Sequence, residues 1–167
     1  MRIELPFAEG LAVVRSATTL PPLVRDLRCS GSTVYADIDL REIESDSFGF
    51  RLAAMAAGTV EVAARLERFA DGVATFVVTA HARGLPAHRL VPYLIGPIES
   101  ALDRAGLPEG LVRVSAGEGD PRVAVDVQRA VDERVEGVLV RGVSLDEAVI
   151  HVDADVSGFR MPTAAAE

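Results

Sequence analysis

His151, Asp153 and Asp155 alternate along VIHVDADV, and Asp37 and Asp39 alternate along TVYADIDL. Imidazole and carboxylate groups gathered on one face are common ligands of a divalent cation. On a flat strand, side chains two residues apart stand about 7 Å from each other, so one ion cannot take all three without help from a neighbouring strand. The plainer expectation is a solvated sheet face, which needs charged residues at such positions in any case. His81 and His88 flank Gly84-Leu85-Pro86 and could meet across that turn as ligands or as an acid/base pair. Nothing else marks the spot, and ordinary surface histidines are expected. Cys29 in RCSGS has no local nucleophile signature and reads as a small packed or turn cysteine. There is no G-x-S-x-G, phosphate loop or zinc-finger spacing, and the GEGD turn at 117–120 is followed by no dinucleotide-type helix. The acids around Asp132-Glu133 form a solvated patch without the glycine and spacing of a calcium loop. The expectation is no catalytic residue, no metal site and no cofactor.

Composition narrows the remaining classes. The chain has 167 residues, 49% of them hydrophobic and 25% charged, which suits one globular domain with its own core. Aromatic residues are scarce and Trp is absent, so that core has to be built mainly from Val, Leu, Ile and Ala. The net charge is −8, and every basic residue is Arg. An acidic surface repels phosphates, which argues against nucleic acid and against anionic membranes as partners. A single cysteine excludes an intrachain disulfide and fits a reducing, cytoplasmic setting. MRIELPFAEG has no basic region followed by an apolar run, and no uncharged apolar stretch is long enough for a transmembrane helix.

The elements that must carry any site read mostly as strands. TVYADIDL, TVEVAARLE, RVAVDVQ and VIHVDADV alternate apolar and polar residues with period two, the pattern of antiparallel strands with one wet face. Cys29-Ser30-Gly31-Ser32, Ala70-Asp71-Gly72, residues 117–121 and Ser144-Leu145-Asp146-Glu147 supply the turns between them; Asp-Gly is the strongest of these hairpin cues. Eight to ten strands are expected, with a short helical turn near 128–135. TVYADIDLREI–FRLAAM–VEVAARLERF faintly echoes RVAVDVQRAV–VLVRGV–AVIHVDADV, which suggests an internal two-fold repeat. Alternating strands resemble one another in any case. No linker divides residues 1–160, and residues 161–167 read as a frayed tail.

One helix is expected near 86–105. Leu90, Val91, Leu94, Ile95, Ile98, Ala101 and Leu102 fall at three- and four-residue spacings on one apolar stripe. Pro86 suits its first turn, and Gly106 with Pro108 ends it. Pro92 and Pro97 lie inside it, and an interior proline costs about 3 kcal/mol and bends the axis. The expected fold is therefore α+β: mostly antiparallel sheet curled around one main kinked helix. Such a helix either seals the core or leaves a slot for an apolar guest, lined by Leu90, Tyr93, Leu94, Ile95, Ile98 and Leu102.

Across residues 74–156 the run ATFVVTAHA, GLPAHRLVPYLIGPIESALDRAG, LVRVSAGEGDPRVAVDVQ and VLVRGVSLDEAVIHVDADV resembles half of the bacterial tubular lipid-binding (TULIP-like) proteins. The resemblance lies in the order of strand, apolar helix, hairpin and final hairpin. It implies lipid tails held between a helix and a bent sheet. The resulting expectation is a non-enzymatic module holding an apolar or lipid-like ligand. The alternative is a structural or assembly protein that pairs with itself or a protein partner through sheet edges or an apolar patch. A small enzyme using the His and Asp faces ranks behind both.

Overall fold

The computed structural model describes residues 1–17, 20–43, 46, 48–81, 108–115 and 119–160. In order these form β1 (Arg2–Pro6), α1 (Phe7–Ala17), β2 (Val24–Ser30), β3 (Thr33–Asp39), a 3₁₀ turn (Leu40–Glu42), α2 (Phe48–Ala57), β4 (Thr59–Ala70) and β5 (Val73–His81). After these come β6 (Val112–Ser115), β7 (Arg122–Asp126), α3 (Val127–Asp132), β8 (Glu136–Asp146) and β9 (Val149–Arg160). All pairings are antiparallel. They build a six-stranded sheet in the order β2-β3-β4-β5-β7-β6 and a three-stranded sheet in the order β1-β9-β8.

The expected sheet curled around one main kinked helix is not what these residues form. The described chain has two sheets and three short helices of 11, 10 and 6 residues. The expected helix at 86–105 lies outside the described residues, as does the 161–167 tail. Alternation within a strand reports which side is wet, but not which sheet the strand joins. The echo between the two halves is not a structural repeat either. FRLAAM lies in helix α2, whereas VLVRGV lies in strand β8. The first unit returns to its own sheet, and the second crosses from β7 in one sheet to β8 in the other.

The hairpins follow local chemistry. At the β4–β5 turn both Asp71 and Gly72 have positive φ, 52° and 79°, the requirement of a two-residue turn whose twist matches its strands. At the β8–β9 turn Glu147 and Ala148 adopt the same handedness, with φ of 47° and 59°. Strand β8 therefore runs on to Asp146, and the turn is Glu147-Ala148.

Three contacts lock the sheets together. First, α1 carries Glu9 in its first turn and Arg15 in its last, complementing the helix dipole, and packs on β1 and β2 alike. Second, the Ala148 N–H donates to the Gly31 carbonyl (2.9 Å), while the Ala148 carbonyl accepts from Phe7 N–H (2.8 Å). The β8–β9 turn is thus pinned to the β2–β3 turn. Third, the Gln128 carboxamide at the start of α3 acts as a substitute peptide group. It donates to the Val138 carbonyl (2.8 Å) and accepts from the Val140 N–H (2.8 Å). Strand β8 is an edge strand, and its exposed backbone would otherwise invite strand pairing. Gln128→Ala is expected to cost about 1–2 kcal/mol and to speed amide exchange at Val140 selectively, measured by urea unfolding and hydrogen exchange.

Candidate functional site

The strand registers sort the six-stranded sheet into rows whose members share a face. Val24, Ile38 and Val60 form the first row, and Leu27, Ala36, Val62 and Ala80 the second. Cys29, Val34, Ala64 and Val78 form the third. Leu66, Phe76, Val123 and Val114 form the fourth, and Phe69, Ala74, Val125 and Val112 the fifth. Apart from Cys29, this whole face is hydrocarbon. The opposite face carries Arg28, Tyr35, Asp37, Glu61, Arg65, Arg122 and Arg113 at the intervening positions, together with Val77, Ala124 and the buried Ala63 and Thr75.

Cover over the apolar face is uneven. Phe50 and Ala54 of α2 pack with Leu23, Ile38, Leu40, Ile43 and Val60 into the main core cluster, which reaches Val24, Ala36, Val62 and Ala80 of the first two rows. Beyond them the apolar face continues without belonging to that cluster. Leu66, Phe69, Phe76, Val112, Val114, Val123 and Val125 are each only half-buried, although Ala74 and Val78 among them are buried.

At the Phe69 end the face opens into a cleft of about 360 Å³ between the sheets, lined by Phe69, Asp71, Gly72, Gln128, Leu139, Val140 and Arg141. The Gln128 backbone N–H donates to the Gly72 carbonyl (3.0 Å) and its side-chain amide also donates to Asp132 (2.7 Å). Arg141 is held by Asp155 at 2.7 Å. The cleft thus sets amide and charged groups beside the hydrocarbon of Phe69, Leu139 and Val140.

The residues singled out for chemistry are not drawn together. Asp153 meets Arg2 (2.9 Å), Asp155 meets Arg141 (2.7 Å), and His151 Nδ1 lies 3.7 Å from Glu4. Each partner sits on a neighbouring strand, and the Arg2 hydrogen bond holds the Asp153 carboxyl below its ordinary range. Among the described residues no group of three or more His, Cys, Asp or Glu side chains is placed to hold an ion. His81 ends β5 opposite Glu61 in the register, and His88 lies outside the described residues. Leu90, Tyr93, Leu94, Ile95, Ile98 and Leu102 lie outside them too. Cys29 is half-buried on the apolar face, and desolvation pushes its thiol pKa up, the reverse of what activates a nucleophile.

Asp37 and Asp39 part company. Asp37 accepts from Arg28 at 3.1 Å on the wet face; the same guanidinium pairs with Glu61 and lies over the Tyr35 ring. Asp39 is no member of a solvated face: its side chain is 1% exposed. It accepts from Arg41 Nε (2.8 Å) and Nη2 (2.7 Å), from the Arg41 backbone N–H (3.1 Å), and from Arg25 Nη2 (2.8 Å). The Arg41 side chain, with Arg25 behind it, holds this carboxyl far below the usual carboxylate range despite its burial. Asp39 caps the 3₁₀ turn and ties β2, β3 and that turn into one unit. Neither Asp39 nor Gln128 was legible as special in the alternating pattern; the one local cue was an Asp opening each short helical turn.

A scan against protein-family models matches none, and searches of curated proteins and of solved structures return no match. None of the described helices is long and apolar enough to cross a membrane.

Proposed function

We propose that this chain is a non-enzymatic binding module that holds an apolar or lipid-like ligand against the hydrocarbon face of its six-stranded sheet. The carrying observation is the half-buried fourth and fifth rows, Leu66, Phe76, Val123 and Val114 with Phe69, Val125 and Val112, on a face whose other end is sealed by α2. Covering such a row is favourable by roughly 25 cal/mol per Å², and each ligand methylene moved out of water adds about 0.8 kcal/mol. A few polar groups beside an apolar wall are the usual composition of a small-molecule site. The cleft at the Phe69 end supplies them through Asp71 and Arg141, beside the engaged Gln128 carboxamide, which suits an amphiphile with its tail along the sheet and its polar end in the cleft. Leu90, Tyr93, Leu94, Ile95, Ile98 and Leu102 are the sequence-derived candidates for the opposing wall. The resemblance of residues 74–156 to TULIP-like proteins points to the same ligand class.

The test is mass spectrometry of protein extracted with organic solvent, followed by titration of the delipidated protein with a fluorescent fatty acid. A co-purified acyl species and saturable fluorescence are expected. Phe76→Glu should remove the binding by placing a charge in the fourth row, while Thr79→Glu on the opposite face should leave it intact. Protein that carries no acyl species and does not respond to the probe rejects the proposal.

A further inference from the structure

The surface of α2 that faces away from the sheet has no cover among the described residues. Phe50 and Ala54 point into the core, whereas Phe48, Leu52 and Met55 are 68%, 52% and 72% exposed. Their spacing of four and then three residues aligns them in one stripe along the helix. Arg51 is the only charged residue of α2, and Gly49 and Ala56 flank the stripe as exposed small residues. Scattered single hydrophobics on a surface are ordinary; a contiguous row of three large ones along one helix face is not.

We propose that this stripe is a homodimer seam, in which α2 pairs antiparallel with α2 of a second copy across a two-fold axis near Leu52. This goes beyond the ligand reading and does not depend on it. Two observations select a second copy as the occupant. The first is self-complementarity: Phe48, Leu52 and Met55 read almost the same in reverse. An antiparallel pair sets the Phe48 ring against Met55 of the second copy at both ends and brings the two Leu52 side chains together at the axis. Thioether–aromatic contacts are favourable, and a two-fold interface requires each surface to match itself. The small Gly49 and Ala56 let the helices approach closely. The second observation is area. At about 200 Å² for a large side chain, the stripe exposes roughly 400 Å² of hydrocarbon. That is about half of the ~800 Å² per partner in a standard interface, the share expected of its apolar centre. No acid lies on α2 itself, whose only charge is Arg51, but exposed Asp46 stands two residues before Phe48 and the net charge is −8. Long-range repulsion therefore opposes pairing, so salt should strengthen it.

The experiment is sedimentation velocity of the full chain over a concentration series at low and high salt. A reversible monomer–dimer equilibrium is expected, tighter at high salt. Leu52→Glu should weaken it by about a hundredfold or more, because it would bury two unpaired carboxylates at the axis. Leu52 is 52% exposed, so this variant should keep the wild-type circular dichroism, and at concentrations where the wild type is monomeric it should keep the same melting temperature. In a Cys29→Ser background, Leu52→Cys should oxidise to a disulfide-linked dimer. A chain that stays monomeric at the highest concentration, or a dimer indifferent to Leu52→Glu and not captured by Leu52→Cys, overturns the proposal. Fatty-acid binding that persists in Leu52→Glu separates this outcome from that of the ligand reading.

Discussion

Asp39→Asn is expected to cost about 3 kcal/mol at neutral pH and to remove much of the acid sensitivity of folding. The reasoning starts from burial: the Asp39 side chain is 1% exposed and accepts from two guanidinium groups and a backbone N–H. Breaking a buried ion pair costs about 3–5 kcal/mol when the abandoned partner stays buried. Here Arg25 and Arg41 are half-exposed and regain water, which places the cost at the lower end. An amide also directs N–H donors at donors, so the substitution is not isosteric in function. The pH dependence has a definite sign. Because the folded-state pKa is lowered, the stabilisation is fully present above the unfolded pKa, about 3.9, and is lost as pH falls through the folded value. Urea titrations at pH 7 and at pH 3 measure both effects. Wild type should lose stability steeply below about pH 4, and the variant should show a shallower acid limb. Glu67 and Asp153, lowered by Arg122 and Arg2 respectively, act in the same direction but at the solvated surface, where screening makes them minor.

Gly72→Ala should be about as costly, at roughly 2–4 kcal/mol. Two separate penalties combine. The backbone has φ +79°, a conformation that costs an L-residue about 1–2 kcal/mol. A Cβ there would also lie 2.6 Å from Gln128 Cβ. That atom belongs to the stiff base of a side chain anchored at Val138, Val140 and Asp132, so it cannot swing aside, and overpacking of this kind costs about 1–3 kcal/mol. Relief requires the β4–β5 turn and α3 to separate, which strains the clamp on strand β8. The expected signature is a lower unfolding midpoint together with faster exchange at Val140, as in Gln128→Ala but larger. Gly72→Ala combined with Gln128→Ala should be less damaging than the sum of the two: the clashing Cβ stays, but the clamp on β8 that the strain would disturb is already lost.

Much of the strand map was legible because its signals are local. Val34, Ala36 and Ile38 alternate with Tyr35 and Asp37, and both sets fall on the faces that the spacing assigned. The Asp71-Gly72 and Gly31-Ser32 turns sit where turn chemistry put them. The short helix α3 appeared at Val127–Asp132, overlapping the segment near 128–135 marked for a helical turn. The helices α1 and α2 were less visible. FAEGLAVVRSA contains Gly10 and paired valines, and FGFRLAAMAA begins with Phe-Gly-Phe; helices of this length owe their stability to packing rather than to propensity. Asp39 and Asp37 are indistinguishable as text, two aspartates at successive wet positions, yet only Asp39 lies where Arg25 and Arg41 converge.

The amino-acid sequence by itself determined the period-two strands, their wet and dry sides, the tight turns, and the lack of any local catalytic or metal-binding signature. These depend on neighbours within a few residues, where backbone sterics and turn conformations act. Only the tertiary structure decided that the strands divide between two sheets, that Asp39 is buried while Asp37 is wet, that Gln128 completes the edge of β8, and that α2 turns Phe48, Leu52 and Met55 outward. Each of those depends on groups distant in the chain meeting at hydrogen-bonding range. Strand alternation leaves that choice open, because several pairings dry the same faces equally well.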